Sequence, residues 1–160
     1  MPELGQFHRE LVFVHLLGVF AFLLAHGISA GVMFMIRRER DPAALRALLT
    51  LSRQALNVMF IGALVLFVTG ILAGFSGNYW ATGRLWPWVS LAVFVGVFLL
   101  MTPLARTPLD RLREAIGDGT AAVETAGIDA AAASARPMLV AGLGLGAVIV
   151  LTWLMMYKPF

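Results

Sequence analysis

The chain has 160 residues, of which 60% are apolar and 13% charged, with a mean hydropathy of +0.87 and no cysteine. A soluble domain carries about 25% charged residues, so the composition points to a small polytopic membrane protein, one domain over residues 1–160. The missing cysteines exclude disulfides, thiolate metal sites and covalent c-type haem attachment. A pI near 10.2 comes from eleven Arg and one Lys, a bias better explained by membrane topology than by nucleic acid.

Leu11 to Ile36 contains no Asp, Glu, Lys or Arg. Such a run exceeds the roughly 20 residues that cross a bilayer and reads as a first span. It is too long for the h-region of a cleavable signal, and Glu3 and Glu10 stand where a basic n-region belongs. The cluster Arg37-Arg38-Glu39-Arg40-Asp41 closes it. Asp41-Pro42 has the form of a helix cap followed by proline at the first helical position. The helix that starts there is expected to run through Ala43–Gln54, clear of the bilayer, into a second span over 55–75. Ser76-Gly77-Asn78-Tyr79 reads as a turn, and a third span follows over 86–104. Thr107-Pro108 repeats the cap-plus-proline pattern and is expected to open a separate polar helix, Leu109–Ile116, stopped by Gly117-Asp118-Gly119. An Ala-rich helix over Thr120–Arg136 then leads to a fourth span over 137–157. Gly142 and Gly146 form a G-x-x-x-G pair, a sign of close helix packing.

Arginine placement orients the bundle. Arg37, Arg38, Arg40, Arg46, Arg53, Arg106, Arg111, Arg113 and Arg136 fall on the connections between spans one and two and between spans three and four; only Arg9, Arg84 and Lys158 fall on the other side. This predicts an all-α antiparallel bundle of four transmembrane helices in a bacterial inner membrane, with cytoplasmic helical extensions and both termini outside. Tyr79, Trp80, Trp86, Trp88, Trp153 and Tyr157 then share the outer interface, where amphipathic rings concentrate.

The first span also carries His15 and His26, and ionisable residues inside a span mark function by default. An offset of eleven residues returns a helix to within about 20°. His8, His15, His26 and Met33 therefore fall on one stripe, with Ser29 beside it. A neutral imidazole is the form that metals and haem iron bind. His15 and His26 are about 16 Å apart along the axis and cannot ligate one iron together. No other span has a histidine, which leaves His–Met ligation, a five-coordinate haem or ligation across a homodimer. Met33, Met35, Met59, Met101 and Met138 share the inner depth, where thioethers suit Cu(I) or an axial haem position. The plainer reading of each histidine is a hydrogen bond between helices, and of each methionine a gap-filler. The candidate cofactor-binding residues are His15 and His26, joined by Met33 for a metal. No Asp, Glu or Lys lies within the spans, which counts against an energised transporter.

The segments His15-Leu16-Leu17-Gly18 and His26-Gly27, with the stop Arg37-Arg38-Glu39-Arg40-Asp41-Pro42, resemble a bacterial family of four-helix integral membrane proteins of unknown function. That family looks related to the CopD copper-resistance proteins and the HemJ-type protoporphyrinogen oxidases. The resemblance implies a functional histidine at His15 and b-type haem or copper as cofactor. HemJ proteins also use a lysine in the third helix, and this third span has none, so their oxidase activity is not carried over. Three functions compete: haem or copper binding for redox or cofactor handling, with a haem-dependent oxidoreductase as its enzymatic form; a structural or assembly subunit of a larger membrane complex; and a CopD-like copper permease.

Overall fold

A computed structural model describes residues 5–81, 83–116, 129, 130, 133 and 136–159. Four long helices account for the bundle: α1 (His8–Ile36), α2 (Pro42–Ser76), α3 (Trp86–Ile116) and α4 (Pro137–Tyr157). All four are long and apolar enough to cross a membrane, and the described residues contain no strand. The all-α four-span architecture is as expected.

The helices pair as two hairpins of unequal tightness. α1 and α2 pack along their length, α3 and α4 meet much less, and contacts between the hairpins are fewer still. Between apolar helices in lipid there is no hydrophobic drive, so association depends on close packing and hydrogen bonds. Gly18 and Gly62 supply the close packing. A Cβ at Gly18 would stand 2.8 Å from the Leu66 backbone nitrogen, and one at Gly62 would stand 2.9 Å from that of Phe22.

The connection between α1 and α2 is set by local chemistry. Asp41 caps α2, its carboxylate accepting from the backbone N–H groups of Ala43 (3.2 Å) and Ala44 (3.1 Å), with Pro42 inside the first turn. As predicted, α2 continues without a break from its polar first turns into the span. Leu45 and Leu49 of those first turns are buried with Val32 and Ile36 of α1 and with Leu109, Leu112 and Ile116 of α3.

That cluster explains a departure from expectation. Thr107-Pro108 does not open a separate helix; α3 runs unbroken through Pro103 and Pro108 to Ile116. Proline removes a backbone donor and disfavours a helix interior. Here continuity is what brings Leu109, Leu112 and Ile116 against α2, and that burial outweighs the local penalty. The Gly117-Asp118-Gly119 stop expected after Ile116 lies outside the described residues, and the Ala-rich helix expected over 120–136 almost wholly so; Asp129, within that range, pairs with Arg40 at 3.0 Å.

The turn predicted over 76–79 forms one residue later, at 77–80, because Ser76 still belongs to α2; Asn78 has φ 53° and the Tyr79 N–H bonds to the Gly74 carbonyl at 2.8 Å. The aromatic residues gather at this end. Tyr79 meets Trp86 at 5.3 Å between ring centroids and Trp80 meets Trp88 at 4.8 Å, while the Lys158 ammonium sits 4.6 Å from the Tyr79 ring.

Candidate functional site

The histidine stripe of α1 meets different neighbours along its length. At the end near the termini, His8 Nδ1 lies 2.7 Å from Ser76 Oγ. The Ser76 hydroxyl donates to the Ala73 carbonyl at 3.1 Å, so it accepts from the His8 ring. Two turns further in, His15 Nδ1 donates to the Leu66 carbonyl of α2 at 2.8 Å, with Thr69 Oγ at 3.4 Å. Gly70 opens the space, since a Cβ there would stand 3.1 Å from His15 Cε1. The bond fixes the tautomer: Nδ1 carries the proton and Nε2 keeps its lone pair.

His26 is placed differently. Its ring lies parallel to Phe22 (centroids 6.2 Å apart, planes at 5°) and presses its Nε2 edge against α4 at Gly144, where any Cβ would overlap it. Nε2 is buried and has no hydrogen-bond partner among the described residues; neither has Ser29 Oγ one turn on, in a residue only 7% exposed. Both residues line a cavity of about 80 Å³ where the hairpins meet. On that measure one water needs about 10–15 Å³, so several small groups fit. Met33 of α1, Met59 of α2 and Met101 of α3 also line it, as do Phe22, Phe60, Phe94 and Phe98. Aromatic contacts carry the ring wall from one hairpin to the other, Phe22 to Phe94 at 6.2 Å and Phe60 to Phe98 at 5.6 Å. Arg106 closes one end, its guanidinium 5.8 Å from the Phe60 ring.

The structure thus separates the predicted site residues. His26 and Met33 share the cavity with two further methionines of the predicted inner group, whereas His15 faces α2 outside it. Met138 is 76% exposed and does not join. The G-x-x-x-G expectation is also corrected. Gly142 and Gly146 face open space, and it is Gly144, half a turn away, that meets α1 through the His26 ring. Sequence reasoning missed Gly144, Arg106 and the phenylalanine wall. The four-residue spacing of Phe94 and Phe98 was the available sign of a shared face.

No curated protein and no solved structure gives a match to the chain. Residues 10–159 match one family model, described as predicted integral membrane protein (DUF2269). With almost its whole length matched, the chain belongs to the DUF2269 family of integral membrane proteins.

Proposed function

We propose that this membrane protein binds copper(I) in the cavity between its hairpins, with His26 Nε2 as anchoring donor and the thioethers of Met33, Met59 and Met101 as its companions. The observation that carries the reading is the buried Nε2 of His26, without a hydrogen-bond partner among the described residues, on a side chain that lines a cavity shared with methionines of three helices. A buried polar atom without a partner costs about 1–3 kcal/mol, and a bound ion removes that cost. Imidazole and thioether are donors suited to Cu(I). Among the described residues the cavity lining includes no carboxylate, and Arg106 adds a positive charge at one end. The desolvation cost of an ion grows with the square of its charge, so neutral donors here favour a monovalent over a divalent cation.

Haem b is the second reading, favoured by His15. A histidine whose Nδ1–H is held by a backbone carbonyl has the disposition of a metal ligand. The cavity at His26 is too small for a porphyrin while α4 rests on the ring, so haem would sit at His15 Nε2, outside the cavity. The arginine asymmetry supports an orientation with the 37–41 connection on the cytoplasmic side.

The test is a copper titration of the detergent-purified protein under reducing conditions, against a chromogenic Cu(I) chelator, with its visible spectrum recorded. One copper per chain is expected, without a Soret band. His26→Ala should lose about tenfold or more in affinity, the scale of losing a ligand or its support. Absence of copper binding above the His26→Ala level would overturn the copper reading, and a Soret band lost in His15→Ala would establish haem in its place.

A further inference from the structure

The cavity is larger and more aromatic than a single metal ion requires, and its second unpartnered polar atom points to another kind of ligand. Ser29 is more than nine-tenths buried and lines the cavity, and its Oγ has no hydrogen-bond partner among the described residues. A helical serine commonly bonds back to its own helix, as Ser90 Oγ does to the Trp86 carbonyl at 2.8 Å. Ser29 does not. Around it, Phe22, Phe94 and Phe98 provide flat apolar surface, and rings pack against such surface in offset or edge-on contact. An apolar cavity with a few convergent polar atoms is the usual form of a small-molecule site.

A second concavity shows how such a molecule reaches it. A mostly apolar groove runs between α3 and α4 on the surface that the four-span architecture turns to lipid, with Gly142 and Gly146 of α4 among its lining. Those two glycines have nothing within 4 Å of where a Cβ would stand, so α4 offers a face without side chains there. Val97 and Ala147 line both the groove and the central cavity. They form the wall between them, at the junction where α3 and α4 pack loosely.

We infer that the cavity takes a ring compound dissolved in the bilayer, of the quinone class. The ring lies on the phenylalanine wall with a carbonyl accepting from the Ser29 hydroxyl, and the apolar tail runs out between Val97 and Ala147 into the α3–α4 groove. A quinone carbonyl accepts the one proton a serine hydroxyl offers, and its ring has the flat shape the wall presents. Neither contact uses His26, so the inference stands apart from the copper reading.

The experiment uses metal-free protein, prepared with a Cu(I) chelator, in detergent micelles and titrated with a decyl-substituted benzoquinone by equilibrium dialysis. Saturable binding at about one per chain is expected. Ser29→Ala should weaken it roughly three- to tenfold, the range for one neutral hydrogen bond, while leaving copper affinity unchanged. Ala147→Phe closes the wall and should abolish saturable binding. Ala147→Leu, a smaller intrusion, should weaken it if the phenylalanine variant does not fold. Absence of saturable binding in the native protein overturns the inference, and so does binding that Ser29→Ala and the Ala147 variants leave unchanged. If the quinone binds as described and copper does not, only the metal reading falls.

Discussion

The two hairpins are built from similarly apolar helices, yet one packs closely along its length and the other loosely, and the cavity lies where the two meet. In α1–α2, glycines stand where the backbones cross, and a histidine spans the gap with a hydrogen bond to a main-chain carbonyl. In α3–α4, two of the three glycines of Gly142–Gly146 face outward, and the third makes room for a side chain of α1 rather than for α3. Glycine content therefore does not determine tightness; what each glycine faces does. The contrast also divides the histidines. His15 belongs to the closed hairpin and uses its Nδ1–H to hold it together, whereas His26 meets the open one and its buried Nε2 has no partner among the described residues.

The strongest way to break this contrast is to add a side chain at the crossing. In Gly62→Leu the new Cβ would meet the Phe22 nitrogen and the Gly18 carbonyl, both main-chain atoms that cannot turn aside. Overpacking typically costs about 1–3 kcal/mol, and a clash with main-chain atoms belongs at the upper end, so the variant should unfold at markedly lower denaturant in mixed micelles. Gly142→Leu places the same group in open space and should stay within about 0.5 kcal/mol of native. Equal losses in the two variants would mean that the hairpins are not packed differently.

A smaller effect is expected at the hydrogen bond. His15→Leu keeps most of the volume and removes the Nδ1–H donor to Leu66. Side-chain hydrogen bonds between membrane helices average about 0.6 kcal/mol, and a loss near that size is expected in the same unfolding assay, with copper affinity unchanged. A drop in copper affinity to the His26→Ala level would place His15 in the metal site and erase the division between the two histidines.

Much of this was legible in the sequence because the bilayer imposes it. Spans, the Asp41-Pro42 helix start, the turn after α2 and the gathering of aromatic residues at one end follow from length, capping and interface chemistry, none of which needs partners. The stripe was legible as periodicity, but periodicity fixes only angle around one helix. It could not tell that α2 covers His15 while α4 covers His26. Nor could it show that Leu109, Leu112 and Ile116 would find Leu45 and Leu49 and so carry α3 through two prolines. The G-x-x-x-G pair misled for the same reason: the spacing marks a smooth face without saying whether a helix or lipid lies against it.

The smallest effect tests the short connection that keeps the closed hairpin closed. Glu39 lies in the four-residue link before Asp41, and its carboxylate accepts from the backbone N–H groups of Asp41 at 2.9 Å and Arg40 at 2.8 Å. Those two bonds, the one from Asp41 foremost, favour the ionised form and lower the carboxyl's pKa below its ordinary value. A carboxyl depressed in the folded state adds stability above its unfolded pKa, and the contribution disappears as pH falls through the folded value. Glu39→Gln should therefore lower thermal stability slightly at neutral pH, and the difference from native should close in acid below the ordinary carboxylate range. The group lies at the protein surface, so salt and water screen it and the shift should be the smallest of the series. A gap between the two proteins that persists unchanged into acid would show that Glu39 acts through its shape and not its charge, leaving the Asp41 cap as the element that sets the turn.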